Sequence, residues 1–178
     1  LPKWSKSSLQ ALSKQKEFKL VGEDISKRDK NVKHFLREDM TYEAVIYPFA
    51  VHYEDEGEWK DIDNTLIEAI DDEKNKVLKN KSNDFQVKVS KNINSKKMVT
   101  ITKNGYELSW GMESNSKSKA NVIESNKINE DLSERAKKQF LKNLSTDLIY
   151  KDIKLGIDLK YQIRPEAVKE DIIINSKT

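Results

Sequence analysis

The chain has no cysteine among its 178 residues. That excludes a disulfide framework, a thiol nucleophile and a cysteine-ligated metal. It leaves the compartment open, because a chain of this size folds without disulfides on either side of a membrane. Glycine and proline are scarce, at five and three residues, which excludes collagen-like and proline-rich segments. No two glycines stand at the spacing of a phosphate-cradling loop, and there is no G-x-S-x-G nucleophile elbow. Apolar runs are short, and none approaches the roughly 20 residues of a membrane-spanning helix. The opening residues LPKWSKSS lack the apolar core of a signal peptide, so an exported form is expected to carry its signal outside this sequence. Charge of one sign is also lacking: 33 basic residues face 30 acidic ones, for a net charge of +3. The two signs are interspersed, so no concentrated basic face points to nucleic acid. The lysine runs at 14–19 and 79–81 read as solvated faces.

What is present is a modest apolar share of 36% beside a high charged share of 35%. The length fits one domain, or one domain with a helical appendage. Residues 1–24 read as an N-terminal helical segment and linker, and 25–178 as a β-rich domain. Ser7 and Gln10 have capping-box spacing at the head of a helix near 5–18, with Leu9, Leu12 and Phe18 as its buried stripe. Residues 21–31 read as a polar connection, and from Val32 the apolar period shifts towards two. A second helix is expected near 129–144. Asn129 caps it, Glu130 and Asp131 suit its first turn, and Leu132, Ala136, Phe140 and Leu144 form its stripe.

Local turn chemistry gives the sharpest expectations. Asn104-Gly105 supplies the two positive φ values of a type I′ hairpin. A two-residue loop pairs Lys103 with Tyr106, Ile101 with Leu108 and Val99 with Trp110, which sets every apolar partner on one face. Trp110 and Leu108 are therefore expected in the core, with Trp59 at least partly accessible. A second hairpin follows from Ile157, Leu159, Tyr161 and Ile163 alternating with polar residues. It turns around Pro165-Glu166 and continues through Val168, Ile172 and Ile174, which places Glu170 opposite Tyr161 on an otherwise apolar face. Phe85, Val87 and Val89 form another alternating strand. Asp71–Lys81 and Glu113–Lys119 read as loops or hairpin tips. The expected fold is mainly β: an antiparallel, sandwich-like domain with about two accessory helices.

Residues able to carry chemistry are few. His34 and His52 are the only imidazoles, and neither has the spacing of a metal site. Asp55, Glu56, Glu58, Asp61 and Asp63 form an acidic cluster that invites a calcium reading. The EF-hand pattern is missing, however, and a charged turn at Glu56-Gly57 with an Asp63-Asn64 turn explains the cluster as well. The expectation is no metal, no cofactor and no catalytic residue. Tyr47, Tyr53 and Trp59 are the candidate ligand surface, because exposed aromatic rings can stack on sugars. Paired carboxylates for glycoside hydrolysis come from distant strands, so a hydrolase with dispersed carboxylates stays open.

Lys27–Leu66, KRDKNVKHFLREDMTYEAVIYPFAVHYEDEGEWKDIDNTL, resembles the N-terminal region of large secreted RHS/YD-repeat proteins of Gram-positive bacteria, the wall-associated, polymorphic-toxin type. AVIYP, VHY and WKDIDNTL carry the resemblance most. NDFQVKVSKN at 83–92, GYELSW at 105–110 and YKDIKLGIDLKYQIRPEAVKEDIII at 150–174 follow in order, so it covers roughly residues 25–175. The resemblance implies a β-rich module, export to the cell surface or wall, and a structural or delivery role beside other modules of the same polypeptide. It implies no catalytic residue. The expected function is thus a non-catalytic structural module of a secreted toxin-like protein, with neither nucleic acid nor a membrane span. The alternatives are a module that binds carbohydrate or cell-wall polysaccharide through exposed aromatics, and the hydrolase.

Overall fold

Alternation of apolar with charged residues dominates the chain, and such a pattern favours strands with one face buried. The computed structural model describes residues 19–123 and 143–175. These build antiparallel sheets, one 3₁₀ turn at Ile25–Lys27 and, among the described residues, no α-helix. The fold is mainly β. The helices expected near 5–18 and 129–144 lie outside the described residues, apart from the last two positions of the second. There Asn143 has a φ of 71° and Leu144 sits in a bend, so the helix does not extend to 144.

The chain meanders. β1 (Leu20–Glu23), β2 (Val32–Arg37) and β3 (Tyr42–Ile46) form a three-stranded sheet, and β4 (His52–Asp55) with β5 (Glu58–Asp61) forms a two-stranded ribbon. β6 (Asp63–Ile70), β7 (Lys76–Ser82), β8 (Gln86–Ser90), β9 (Val99–Lys103) and β10 (Tyr106–Trp110) make a five-stranded sheet in sequential order. β11 (Ala120–Ile123), β12 (Thr146–Lys154), β13 (Ile157–Ile163) and β14 (Val168–Ile174) make a four-stranded one. Part of the connection expected over 21–31 is therefore β1, hydrogen-bonded to β2, and Lys76–Lys81, expected as loop, lies within β7. The polar composition of both segments hid them, because each strand presents its charged residues to water or to ion-pair partners.

The main core joins the two larger sheets. Val87, Val89 and Val99 pack in one cluster with Leu148, Tyr150, Leu159, Tyr161 and Ile163, and Ile93 and Met98 fill in from the β8–β9 connection. Complete burial of each aliphatic side chain contributes about 1.5–3 kcal/mol. The two tyrosines keep their hydroxyls bonded, as buried polar groups must: Tyr150 donates to the Ser90 carbonyl and Tyr161 to the Glu170 carboxylate. A smaller core holds Tyr47, Ala50, Val51, Ile62 and Leu144.

A buried asparagine network ties these parts together. Asn64 and Asn80 are 0% and 2% exposed. Asn64 Nδ2 donates to the Leu144 carbonyl at 2.8 Å, and its Oδ1 accepts from Asn80 and Asn83, each at 3.1 Å. Asn80 also donates to the Phe85 carbonyl and accepts from the Val87 amide at 2.8 Å. The β7–β8 connection is thereby locked to the start of β12.

Both expected hairpins have the expected register. Lys103 pairs with Tyr106, Ile101 with Leu108 and Val99 with Trp110, around Asn104 at φ 50° and Gly105 at φ 79°. Tyr161 lies opposite Glu170, and Leu159 opposite Ile172. Burial differs from expectation at the sheet edges. Leu108 is 64% exposed, Ile172 63% and Ile174 79%. They have the parity of core positions, but β10 and β14 are edge strands, each paired on one side only.

Candidate functional site: a paired charge cluster beside an aromatic cleft

In β2 the pattern Val-Lys-His-Phe-Leu-Arg puts Lys33 on the same face as Phe35, and both are buried. A lysine turned inwards needs carboxylates, because an unpaired buried charge is costly. Two are supplied. Lys33 Nζ lies 2.6 Å from Asp61 Oδ1 and 3.3 Å from Glu23 Oε2. Arg28, placed at the end of the 3₁₀ turn, bridges the same acids: Nε is 2.7 Å from Glu23 Oε1 and Nη2 is 2.8 Å from Asp61 Oδ2. Its Nη1 donates to the Trp59 carbonyl at 3.2 Å, which fastens β5 to the turn.

His52 completes the cluster, since the β4–β5 register sets it opposite Asp61. Its Nδ1 is 2.7 Å from the Asp29 carbonyl, an acceptor only, so Nδ1 carries the hydrogen. Nε2 stands 3.5 Å from both Glu23 Oε1 and Asp61 Oδ1 without hydrogen-bond geometry to either. The His52 imidazole first, then Lys33 and Arg28, hold the Asp61 carboxyl well below the usual carboxylate range against partial burial. Burial pushes the Glu23 carboxyl up, but its bonds and ion pairs with Arg28 and Lys33 together outweigh that and keep it lowered.

Glu23, Arg28, Lys33 and Asp61 are thus bonded to one another, and His52 packs beside them with no solvent exposure of its side chain. The cluster can pin β1, β2, β4 and β5 together. Its most exposed carboxylate, Asp61, has both oxygens engaged, Oδ1 by Lys33 and Oδ2 by Arg28. Among the described residues no group of three or more His, Cys, Asp or Glu is arranged to hold a metal ion. The acidic residues of the calcium reading separate instead. Asp61 serves Lys33 and Arg28, Asp55 pairs with Lys60, and Asp63 accepts from the Thr65 amide and lies near Lys81. His34, the other imidazole, bonds the Lys27 carbonyl at 2.8 Å.

The candidate aromatic surface divides. Tyr47 is 1% exposed and belongs to the smaller core, so it presents no ring to a ligand. Burial, and then the Glu23 charge, push its phenol up to about 12. Tyr53 and Trp59 are half-buried and line a cleft of about 440 Å³ between the β4–β5 ribbon, the β9–β10 turn and the β13–β14 turn. Cross-strand pairing sets Trp59 opposite Glu54 and Tyr53 opposite Lys60, so the rings do not form one flat platform. Two ion pairs frame the cleft: Lys30 with Glu166 at 2.5 Å, and Lys103 with Asp84 at 2.7 Å.

Sequence reasoning missed the charge cluster because its members stand at 23, 28, 33, 52 and 61. One signal was present: Lys33 shares the parity of Phe35 in an alternating strand, which already sets it on the buried face. Compared with known proteins, the chain matches no family model, no curated protein and no solved structure.

Proposed function

We propose that this chain is a non-catalytic structural module of a larger secreted, wall-associated polypeptide of the RHS/YD-repeat type, with its two larger sheets stacked in a sandwich-like pair. The observation that carries this reading is the mutually paired charge cluster. The segment that bears the resemblance, Lys27–Leu66, supplies Arg28, Lys33, His52 and Asp61; Arg28, Lys33 and Asp61 are spent on mutual ion pairs that hold strands together, and His52 is buried beside them on the Asp29 carbonyl. A segment of this kind specifies a scaffold. In the aromatic cleft, the carboxylates Asp84 and Glu166 are likewise paired with lysines rather than facing each other as an acid and a base. The test is to sequence the transcript through and beyond this coding region. Downstream YD repeats in the same frame support the proposal, and a stop codon directly after Thr178 contradicts it.

The half-buried Trp59 at the cleft favours a second reading, a saccharide-binding module. Indole fluorescence titrated with peptidoglycan fragments checks it, with Trp59→Ala as the control. Binding that survives that substitution removes the cleft from consideration.

A further inference from the structure

Residues 113–119 run extended between β10 and β11 with strict alternation. Ser114, Ser116 and Ser118 are half-buried, while Glu113, Asn115, Lys117 and Lys119 are exposed. The inward positions are fastened. Ser114 Oγ donates to the Ile153 carbonyl at 3.3 Å and Ser116 Oγ to the Asp152 carbonyl at 3.1 Å. The same two hydroxyls accept from the Ser116 and Ser118 amides, each at 3.0 Å. On the other side Asn94 Nδ2 donates to the Ser116 carbonyl at 2.7 Å, and the Ala120 amide to the Lys91 carbonyl at 3.0 Å. Lys117 and Lys119 are therefore presented from an anchored backbone.

They line a groove of about 900 Å³ together with Lys74 and Lys76, from the β6–β7 turn and the start of β7, and with Lys91. The rest of the lining is asparagine, serine and the largely covered Ile93, with no carboxylate and no aromatic side chain. Lys91 is paired with Glu68, whereas Lys74, Lys76, Lys117 and Lys119 have no ion-pair partner among the described residues. The acids of the neighbouring turn are engaged elsewhere: Asp71 with Asn75, Asp72 with Lys88 at 3.9 Å, and Glu73 with Lys97 at 3.7 Å. Glu68 sits close enough to Lys76 to interact with it as well as with Lys91, but a concave set of five lysines with no carboxylate in its lining still concentrates positive potential and attracts anions.

We propose that this groove binds a linear polyanion whose charges are phosphodiester or carboxylate groups and which carries no aromatic bases. A polymer suits an open groove with several separated cations better than a single small anion does, since each neutralised charge releases a counterion and adds to the affinity. Single-stranded nucleic acid is disfavoured, because proteins that hold it interleave stacking aromatics with the basic residues. Arginine, whose planar fork suits nucleic-acid recognition, is also missing from the lining. The groove shares no lining residue with the aromatic cleft, and the inference does not rest on the function proposed above.

Fluorescence anisotropy tests it with three labelled probes, poly(glycerol phosphate), polygalacturonate and oligo(dT), at about 50 mM and about 200 mM salt. One or both of the first two are expected to bind and to weaken steeply with salt. The Lys117→Gln/Lys119→Gln double variant is expected to weaken that binding at least about tenfold, with an unchanged melting curve. The Lys60→Gln/Lys169→Gln double variant, at exposed lysines outside both the groove and the cleft, should bind as the parent does. Comparing the two polymers identifies the charged group. Should the first variant fold poorly, Lys74→Gln/Lys76→Gln serves the same purpose on the opposite wall. The proposal is overturned if neither polymer binds, if the groove variants bind as well as the parent, or if oligo(dT) is preferred.

Discussion

Replacing Lys33 with methionine keeps most of the side-chain length and removes the charge at the centre of the buried cluster. The lysine side chain is 5% exposed, with Glu23 16% and Asp61 55% exposed around it. Removing one member of a buried ion pair costs about 3–5 kcal/mol when the partner is left uncompensated. Here the loss is smaller. Arg28 still bonds both carboxylates, and Asp61 recovers hydration through its exposed side. The expected cost is about 2–3 kcal/mol, or roughly 5–10 °C in melting temperature for a chain of this size. Urea denaturation is the assay, with the midpoint shifting and the m-value unchanged. Lys60→Met provides an internal comparison, because its bridge to Asp55 joins side chains 45% and 47% exposed; such a surface pair should cost less than about 0.5 kcal/mol. A Lys33→Met variant as stable as the parent, or no worse than Lys60→Met, would refute the view that the cluster holds the three-stranded sheet to the ribbon.

The remaining expectations concern pH, a turn and the asparagine network. Asp61 and Glu23 both have lowered carboxyl values in the folded protein, so their stabilisation is present above the unfolded values of about 4 and is lost as pH falls through the lower folded values. Thermal melts should therefore decline below about pH 4, and Lys33→Met should flatten that decline; an unchanged slope would contradict the pairing. Gly105 has φ +79° with nothing within 4 Å of an added Cβ, so Gly105→Val tests backbone strain alone. It should cost about 1–2 kcal/mol, read by chemical denaturation, because a β-branched residue resists positive φ. Asn80→Leu removes the side-chain partners of the Val87 amide and the Phe85 carbonyl in the interior; denaturation should show a loss of about 2–4 kcal/mol, each group left without its partner contributing about 1–3.

What could be read from the sequence was what neighbouring residues decide. The Asn104-Gly105 turn fixes its own register, and the β13–β14 pairing follows from alternation on both sides of a four-residue connection. Burial at the edges could not be read the same way. Leu108 and Ile172 have the parity of core residues, but β10 and β14 lie at sheet edges, and strand order within a sheet is not written in local alternation. Tyr47 and Trp59 look alike in an alternating strand, yet one is enclosed by the smaller core and the other opens to a cleft. The groove lysines are split between 74–76 and 117–119 and meet only because the serine-anchored segment folds back beside the β8–β9 connection. In composition they are indistinguishable from the solvated lysines of a highly charged chain.

The proposed role is tested most directly in the cells that produce the protein. An antibody raised against the described β-rich region should be used on fractionated culture, separating cytosol, membrane, wall extract and medium. A membership in a large secreted polypeptide requires a species far heavier than the 20.7 kDa of this chain, found in the wall extract or the medium. A single species of about that mass confined to the cytosol would contradict it.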